Sequence, residues 1–214
     1  MPLVYQQNIN EATRLGVWHI TEDEHFFLQQ VPVQREISHP NKRLQHLAGR
    51  LLLKKLYPDF PYELIRIADT LKPFLANEAY HFSISHCANY AAAIVSKKDR
   101  VGVDIELFNP KVENIIHKFL APAELDMFQQ ITNFQFTNFE SELFVLAWCV
   151  KETIYKWYGD GGIDFSKHIK IENVLFTKAL QGTCECRFLK GSKKLLLVHF
   201  IFFEKNCLSW VCSG

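Results

Sequence analysis

The chain has 214 residues, of which 48% are hydrophobic and 22% charged, and its formal net charge is +1 at pH 7. This is the composition of an ordinary globular protein, long enough for one large domain or two small ones with a sizeable core. The near-neutral charge excludes a surface that coats a polyanion, as a nonspecific DNA-binding protein requires, so we expect no nucleic-acid partner. A local phosphate site needs only a few placed cations and stays open.

Six cysteines are spread along the chain without a C-x-x-C pair or a zinc-type spacing with histidine. We therefore expect free, partly buried thiols and a cytoplasmic location. The first residues, MPLVYQQNIN, have neither the basic nor the apolar region of a signal peptide. The longest apolar run, LLLVHFIFF at 195–203, is too short to span a bilayer, so we expect no membrane partner.

The first strong helix pattern covers residues 39–57, where leucines recur at helical spacing and Pro58 follows. The charged residues of this helix are all basic: Lys42, Arg43, Arg50, Lys54 and Lys55. Alternating segments at 81–85, 90–96 and 100–108 then predict neighbouring strands. Lys72 and Pro73 lie before them in a predicted turn, and His86 follows the first strand.

Helical patterns return in the second half, from about 111 to 130 with a start at Pro122, and at 139–159 with an end at Gly159. From residue 163 onward the pattern predicts strands. The order of elements lacks the steady strand–helix alternation of a doubly wound sheet. It favours an α+β fold with antiparallel sheets, one in each half of the chain.

The segment VGVDIE at 101–106 places two acids in a predicted strand. Because alternate residues of a strand share a face, Gly102, Asp104 and Glu106 lie opposite the apolar residues, and the carboxylates are about 6 to 7 Å apart. Two such carboxylates repel each other unless a cation neutralises them, and Mg²⁺ prefers oxygen ligands of this kind. The alternative is a solvated strand face with no function.

The segment WCVKETIYKW at 148–157 belongs to a predicted, largely buried helix. Trp148, Glu152 and Lys156 are spaced four residues apart and form one stripe along it. The alternative is an ordinary surface pair of Glu152 and Lys156, which contributes a few tenths of a kcal/mol.

Taken in order, four segments resemble the motifs of the 4'-phosphopantetheinyl transferases, of the surfactin-synthetase-activating (Sfp-like) type. The segments are Lys72-Pro73, FSISH at 82–86, VGVDIE at 101–106 and WCVKETIYK at 148–156. The resemblance covers about residues 40–165. It implies an enzyme that moves the phosphopantetheine arm of coenzyme A onto a serine of an apo acyl or peptidyl carrier protein and releases adenosine 3',5'-bisphosphate. Mg²⁺ would be bound at the site, and whether Mn²⁺ can replace it stays open.

The resemblance also implies an architecture and a set of roles. The fold would be a pseudo-dimer of two similar α+β halves, 1–105 and 106–214, in a monomer. The metal-holding acids would be Asp104, Glu106 and Glu152, and the catalytic residues Asp104, Glu152 and Lys156. Coenzyme A would be bound by Lys42, Arg43, Arg50, Lys72, Ser85, His86 and Lys156, although which of the first three reaches a phosphate stays open.

Several points are left open by the sequence. The proton of the carrier serine could pass to Glu152, to Lys156 or to a water on the metal ion. Glu124 matches an acid that the family often has, as a water-mediated metal contact or a base. Carrier proteins present acidic helices, so residues 114–122, with Ile115, Ile116, Lys118 and Phe119, are expected either to receive them or to be core.

Three other interpretations compete with the transferase. A noncatalytic coenzyme A or nucleotide-binding module would need Lys72, His86 and the basic helix but not the acids. Another magnesium-dependent phosphotransferase or a nuclease would need the acids but not FSISH or Lys72-Pro73. A structural protein would need none of them.

Overall fold

The structure is a computed structural model, and it describes residues 2–31, 36–131, 139–178 and 180–214. The chain divides into two compact units, residues 1–105 with 212–214, and residues 106–211. Each unit contains an antiparallel sheet and helices, which agrees with the predicted α+β class. Within the described residues, no helix is both long enough and apolar enough to cross a membrane.

The first unit is built around an antiparallel sheet in the order β1-β2-β6-β5 and one long helix, α2. Its strands are β1 (Leu3–Asn10), β2 (Thr13–His19), β3 (Ile65–Ile67), β4 (Pro73–Leu75), β5 (His81–Cys87), β6 (Tyr90–Ser96) and most of β7 (Arg100–Leu107), and its helices are α1 (Glu24–Leu28), α2 (Pro40–Leu56) and a 3₁₀ turn (Tyr62–Leu64). The predictions of α2 and of β5 to β7 are confirmed. The β1–β2 hairpin was not predicted.

Helix α2 packs across β2, β5 and β6 through its leucines, and Leu47 and Leu52 are fully buried. The close approach depends on Gly49, where an added Cβ would lie 2.6 Å from Cγ2 of Ile84 on β5. The helix begins at Pro40, a residue that suits a first turn, and ends before Pro58. The packing of α2 therefore fixes its basic residues relative to β5.

The second unit packs helix α5 against an antiparallel sheet in the order β11-β10-β9-β8. Its elements are a 3₁₀ turn (Pro110–Ile115), α3 (Ile116–Phe119), α4 (Pro122–Gln130), α5 (Phe139–Tyr158), α6 (Phe165–His168), β8 (Ile169–Lys178), β9 (Gln181–Phe188), β10 (Lys194–Phe203) and β11 (Asn206–Ser213). The predicted long helix α5 and the helix start at Pro122 are confirmed. The helical pattern predicted from about 111 to 130 forms a 3₁₀ turn, α3 and α4, and the break before α4 lies where Leu120 and Ala121 are extended before Pro122.

An ion pair between Lys151 and Glu124 is buried in this unit. Nζ of Lys151 lies 2.7 Å from Oε1 of Glu124, and the lysine is 0% exposed. Nζ also donates to the carbonyls of Phe119 (2.7 Å) and Ile169 (2.8 Å). Burial lowers the pKa of Lys151, and the charge of Glu124 opposes that shift. The ammonium is therefore compensated on several sides, as a buried charge must be.

Glu124 has a structural role in this unit. Its carboxylate also accepts hydrogen bonds from the backbone N–H of Ala121 (2.8 Å), at the start of α4, and of Ile171 (2.8 Å), on β8. These contacts join α4, α5 and β8. Both carboxylate oxygens of Glu124 take part in these contacts, which give this residue a structural role.

Replacing Lys151 by methionine leaves the Glu124 carboxylate buried without its counter-ion. We expect Lys151→Met to lower the free energy of unfolding by about 3 to 5 kcal/mol, measured by urea denaturation. The control is Glu172→Gln, which breaks the exposed pair of Glu172 and Arg187 (2.6 Å) and should cost less than about 1 kcal/mol. Equal effects of the two substitutions would contradict the structural role of the buried pair.

Candidate functional site

Asp104 is buried in the first unit and held by Ser85 of the neighbouring strand β5. The Ser85 hydroxyl donates to Oδ1 of Asp104 (2.7 Å), and its oxygen accepts the backbone N–H of Ile105 (3.3 Å). Two residues earlier on β5, Ser83 Oγ accepts the N–H of Val103 (3.2 Å). Asp104 is only 2% exposed, so the alternative of a solvated strand face is wrong for this residue.

Glu106 belongs to the second unit and is held by Trp148 of α5. The indole Nε1–H donates to Oε1 of Glu106 at 3.0 Å, and both side chains are half-buried. They border a surface cavity of about 230 Å³ whose apolar wall includes Leu107, Ile115 and Val145. A carboxylate at the edge of an open cavity is accessible to a ligand while its orientation is fixed.

The stripe of Trp148, Glu152 and Lys156 is the half-exposed margin of an otherwise buried helix. The three residues follow one another at intervals of one turn, and all three are half-buried. Neighbours such as Cys149 and Ile154 are 0% exposed. The indole that contacts Glu106 therefore lies one turn before Glu152, on the same side of α5.

In the first unit, a surface cavity of about 150 Å³ brings together two of the predicted coenzyme A contacts. Arg50 from α2 and His86 from the end of β5 both line it, and Pro73 of the Lys72-Pro73 pair lies in its wall. Apolar side chains complete the lining: Ile67, Leu71 and Ile84. A buried guanidinium beside apolar walls offers both charge and a flat apolar surface to a ligand.

The other predicted cations are placed differently. Arg43 makes a two-pronged ion pair with Glu24, with Nε to Oε1 at 2.7 Å and Nη2 to Oε2 at 2.8 Å, and it lowers the pKa of Glu24 by hydrogen bonding. Its third donor goes to the carbonyl of Ile37 (2.7 Å). Lys42 is exposed on the first turn of α2. Lys72 lies in the predicted turn, where its carbonyl accepts the N–H of Ala68 (2.9 Å).

His46 also lines the cavity of the first unit and was not predicted. The signal was present in the sequence, because His46 precedes Arg50 by four residues and therefore lies on the same face of α2. In the second unit, Phe119 is 1% exposed, which confirms the core alternative for this residue, whereas Lys118 is exposed.

A divalent cation is compatible with the oxygen ligands that these elements present. In the part of the chain that the structure describes, no three His, Cys, Asp or Glu side chains form a group that could hold a metal ion. Mg²⁺ in transferases does not require such a group, because one or two carboxylates bind it together with water and substrate phosphates. Asp104, Glu106 and Glu152 are hard oxygen ligands, and Asp104 and Glu106 are already oriented by hydrogen bonds. The residues present therefore fit a magnesium ion.

Comparison with known proteins finds one family model and several relatives to which parts of this chain are similar. Residues 100–205 match the sequence model of the 4'-phosphopantetheinyl transferase superfamily. The chain is 28% identical over 148 residues to a Haemophilus influenzae protein provisionally named 4'-phosphopantetheinyl transferase, and this alignment covers 65% of the chain and 60% of that protein. It is 28% identical over 119 residues to enterobactin synthase component D of Salmonella austin and 32% identical over 121 residues to that of Salmonella typhi.

These matches support the 4'-phosphopantetheinyl transferase family for this chain, and the mixed helix and sheet content is consistent with that superfamily. The two Salmonella alignments each cover 56% of the chain and 49% of the relative, so the chain spans about half the length of these proteins. None of the three relatives has the name of a surfactin-synthetase activator, and the Sfp-like subtype is not confirmed.

The contact between Ser85 and Asp104 predicts a stability difference between two serines of β5. Ser85→Ala should lower the free energy of unfolding by about 1.5 to 3 kcal/mol, because it removes a hydrogen bond to a buried carboxylate. Ser83→Ala is the matched control, since Ser83 accepts only from the N–H of Val103 among the contacts described, and should cost about 1 kcal/mol. Urea denaturation measures both, and a smaller effect at Ser85 than at Ser83 would refute the assignment.

Proposed function

We propose that this chain transfers the 4'-phosphopantetheine arm of coenzyme A to a serine of an apo carrier protein, with Mg²⁺ bound, and releases adenosine 3',5'-bisphosphate. The observation that carries the proposal is the match of residues 100–205 to the superfamily, since this range contains Asp104, Glu106, Glu152 and Lys156. The alternative of a noncatalytic binding module does not explain why Asp104 and Glu106 are held in place by Ser85 and Trp148.

The cavity of the first unit supports the coenzyme A part of the proposal. Coenzyme A carries several phosphates and an adenine ring, so its site needs fixed cations next to flat apolar surface. Arg50 and His86 supply the polar groups, and Ile67, Leu71 and Pro73 supply the apolar wall. We assign Arg50, His86 and Lys72 to coenzyme A binding. We leave Arg43 out because its donors are directed to Glu24 and Ile37.

The three acidic residues support the part of the proposal that concerns the transfer reaction. Phosphoryl-type transfer is catalysed mainly by positioning and by neutralisation of charge, so little covalent chemistry is asked of the protein. Asp104, Glu106 and Glu152 would hold Mg²⁺, which when bound neutralises the pyrophosphate charge. Lys156, one turn after Glu152, would contact the pyrophosphate from the same side of α5. Burial of Asp104 beside Ser85 keeps its carboxylate fixed before substrate arrives.

Finer features belong to the same proposal. The two units would be the similar α+β halves of the family fold, in a monomer. The predicted limits, 1–105 and 106–214, differ from those of the units only in residues 212–214. Six free cysteines suit a reducing cytoplasm. Exposed Lys118, in the segment 114–122, would meet an acidic carrier helix. Two relatives have the name enterobactin synthase component D, so carrier domains of that kind are tested beside acyl carrier protein.

The decisive experiment incubates the chain with coenzyme A, Mg²⁺ and several apo carrier proteins, and measures each carrier by mass spectrometry. We expect the mass increment of one phosphopantetheine on at least one carrier. Asp104→Asn, which keeps an oxygen that can accept from Ser85, should lower the rate about 100-fold or more because the charge is lost. Asp126→Asn, an exposed position on α4, is the control and should be fully active. Absence of the increment on every carrier refutes the function.

Glu152→Gln separates proton transfer from ligand binding. If Glu152 takes the serine proton, this variant should lose turnover while its Kd for coenzyme A, measured by isothermal titration calorimetry, stays within about twofold of the parent. A parallel loss of turnover and of coenzyme A binding would instead assign Glu152 to metal and substrate binding. Lys156→Met then tests the remaining protein base in the same two measurements.

A further inference from the structure

The hydrogen bond from Trp148 to Glu106 connects two residues of the family motifs. Glu106 is a proposed metal-holding acid, whereas Trp148 has so far been given no role. Nε1 of the indole lies 3.0 Å from Oε1 of Glu106. Tryptophan has a single N–H and no acceptor, so this side chain can act only as a donor, in the direction that its ring dictates. A neutral N–H orients a carboxylate without cancelling its charge.

The ring of Trp148 is itself held on two sides. Phe119 of α3 meets it edge-on with ring centroids 5.2 Å apart, and Phe165 of α6 packs at 5.6 Å with a tilt of 37°. Phe119 is 1% exposed and belongs to the core of the second unit. The indole N–H direction is therefore set by core packing, and a change at Glu106 alone would not reorient it.

The contact between Trp148 and Glu106 also lies next to the cavity of the second unit and close to Glu152 along α5. Trp148 is one turn before Glu152 on α5, and Glu106 and Trp148 both border the cavity of about 230 Å³. Glu106 thus presents a fixed carboxylate beside open space, and Trp148 belongs to the same helix stripe as Glu152, the other proposed metal-holding acid of this unit.

We propose that Trp148 is a positioning residue, whose indole N–H fixes the Glu106 carboxylate in the orientation in which it binds a divalent cation. The proposal rests on the metal-holding role that the proposed function gives to Glu106. Metal-binding carboxylates are generally oriented by such outer hydrogen bonds, whose removal costs about 10- to 100-fold in metal affinity. The indole is a donor that the second unit provides to the Glu106 carboxylate.

The test is Trp148→Phe, which removes the donor and keeps an aromatic ring against Phe119 and Phe165. Binding of Mn²⁺ is followed by electron paramagnetic resonance, on the protein alone and with coenzyme A, corrected for Mn²⁺ bound by coenzyme A without protein. We expect about tenfold weaker Mn²⁺ binding. In the transfer assay, the Mg²⁺ concentration for half-maximal rate should rise by a similar factor, while kcat at saturating Mg²⁺ changes much less.

The chain offers a matched control. Trp18 in the first unit also donates its indole N–H to a carboxylate, Oε2 of Glu22, at 3.1 Å. Trp18→Phe removes the same type of hydrogen bond and should leave Mn²⁺ binding unchanged. Equal losses of Mn²⁺ affinity in the two variants would show a general effect of destabilisation and overturn the proposal.

A double variant tests whether Trp148 acts through Glu106. In a Glu106→Gln background, Trp148→Phe should weaken Mn²⁺ binding no further, because the charged oxygen that it orients is gone. Additive losses overturn the proposal, and so does a Trp148→Phe variant that binds Mn²⁺ like the parent. A parent protein that binds no Mn²⁺ in either arm also overturns it.

Failure of the proposed function gives a different pattern. A parent protein that binds Mn²⁺ but transfers no phosphopantetheine would refute the transferase and leave Trp148 to be judged by the Mn²⁺ titrations, which need no turnover. A parent protein that transfers the arm while Trp148→Phe keeps its Mn²⁺ affinity would refute only the positioning role.

Discussion

The buried ion pair of Lys151 and Glu124 determines how helix α5 is rotated about its axis. Lys151 is 0% exposed, and its ammonium reaches Glu124 and the carbonyls of Phe119 and Ile169. Leaving that position would cost several kcal/mol, because the carboxylate would stay behind uncompensated. Glu152 follows Lys151 directly, and successive residues of a helix differ by about 100°. A helix locked by Lys151 must therefore direct Glu152 away from the core.

The same rotation of α5 determines which side chains of its neighbouring turns lie on the half-buried side of the helix. Trp148 and Lys156 lie one turn before and one turn after Glu152, so they share its half-buried margin. Trp148 can contact Glu106 only because α5 has this orientation. Lys151, a structural residue, thus directly precedes Glu152, a proposed functional residue. The burial of Lys151 fixes the direction in which Glu152 leaves the helix. Glu124 also helps to fix the orientation of α5, because its contacts join α4, α5 and β8.

The apolar periodicity of the sequence predicts most helices and strands of this chain. The features that it does not predict depend on contacts between residues far apart in the sequence. Helix α2 and strands β5 to β7 have clear apolar periodicity and were found within a few residues. Strand β1 was missed because it lies at an edge of its sheet and is largely exposed, so its residues, LVYQQNIN, carry little alternation. The strand and helix positions of the acids were also predictable. Their hydrogen-bond donors were not, because Ser85 and Trp148 lie far from Asp104 and Glu106 in the sequence, and only folding makes them neighbours.

The basic residues of α2 show the same limit of local reasoning. Arg43 and Arg50 are seven residues apart, which places them on nearly the same face of the helix, and the sequence gives no reason to prefer either as a phosphate ligand. Their surroundings separate them. Glu24 of α1 offers Arg43 a carboxylate of matching geometry, and this pair ties the first turn of α2 to α1. Arg50 lies two turns deeper, 5% exposed, in the wall of a cavity that also contains His86. Arg43 thus attaches α2 to α1. Arg50, on the same helix, places its charge in the wall of the cavity where we expect coenzyme A to bind.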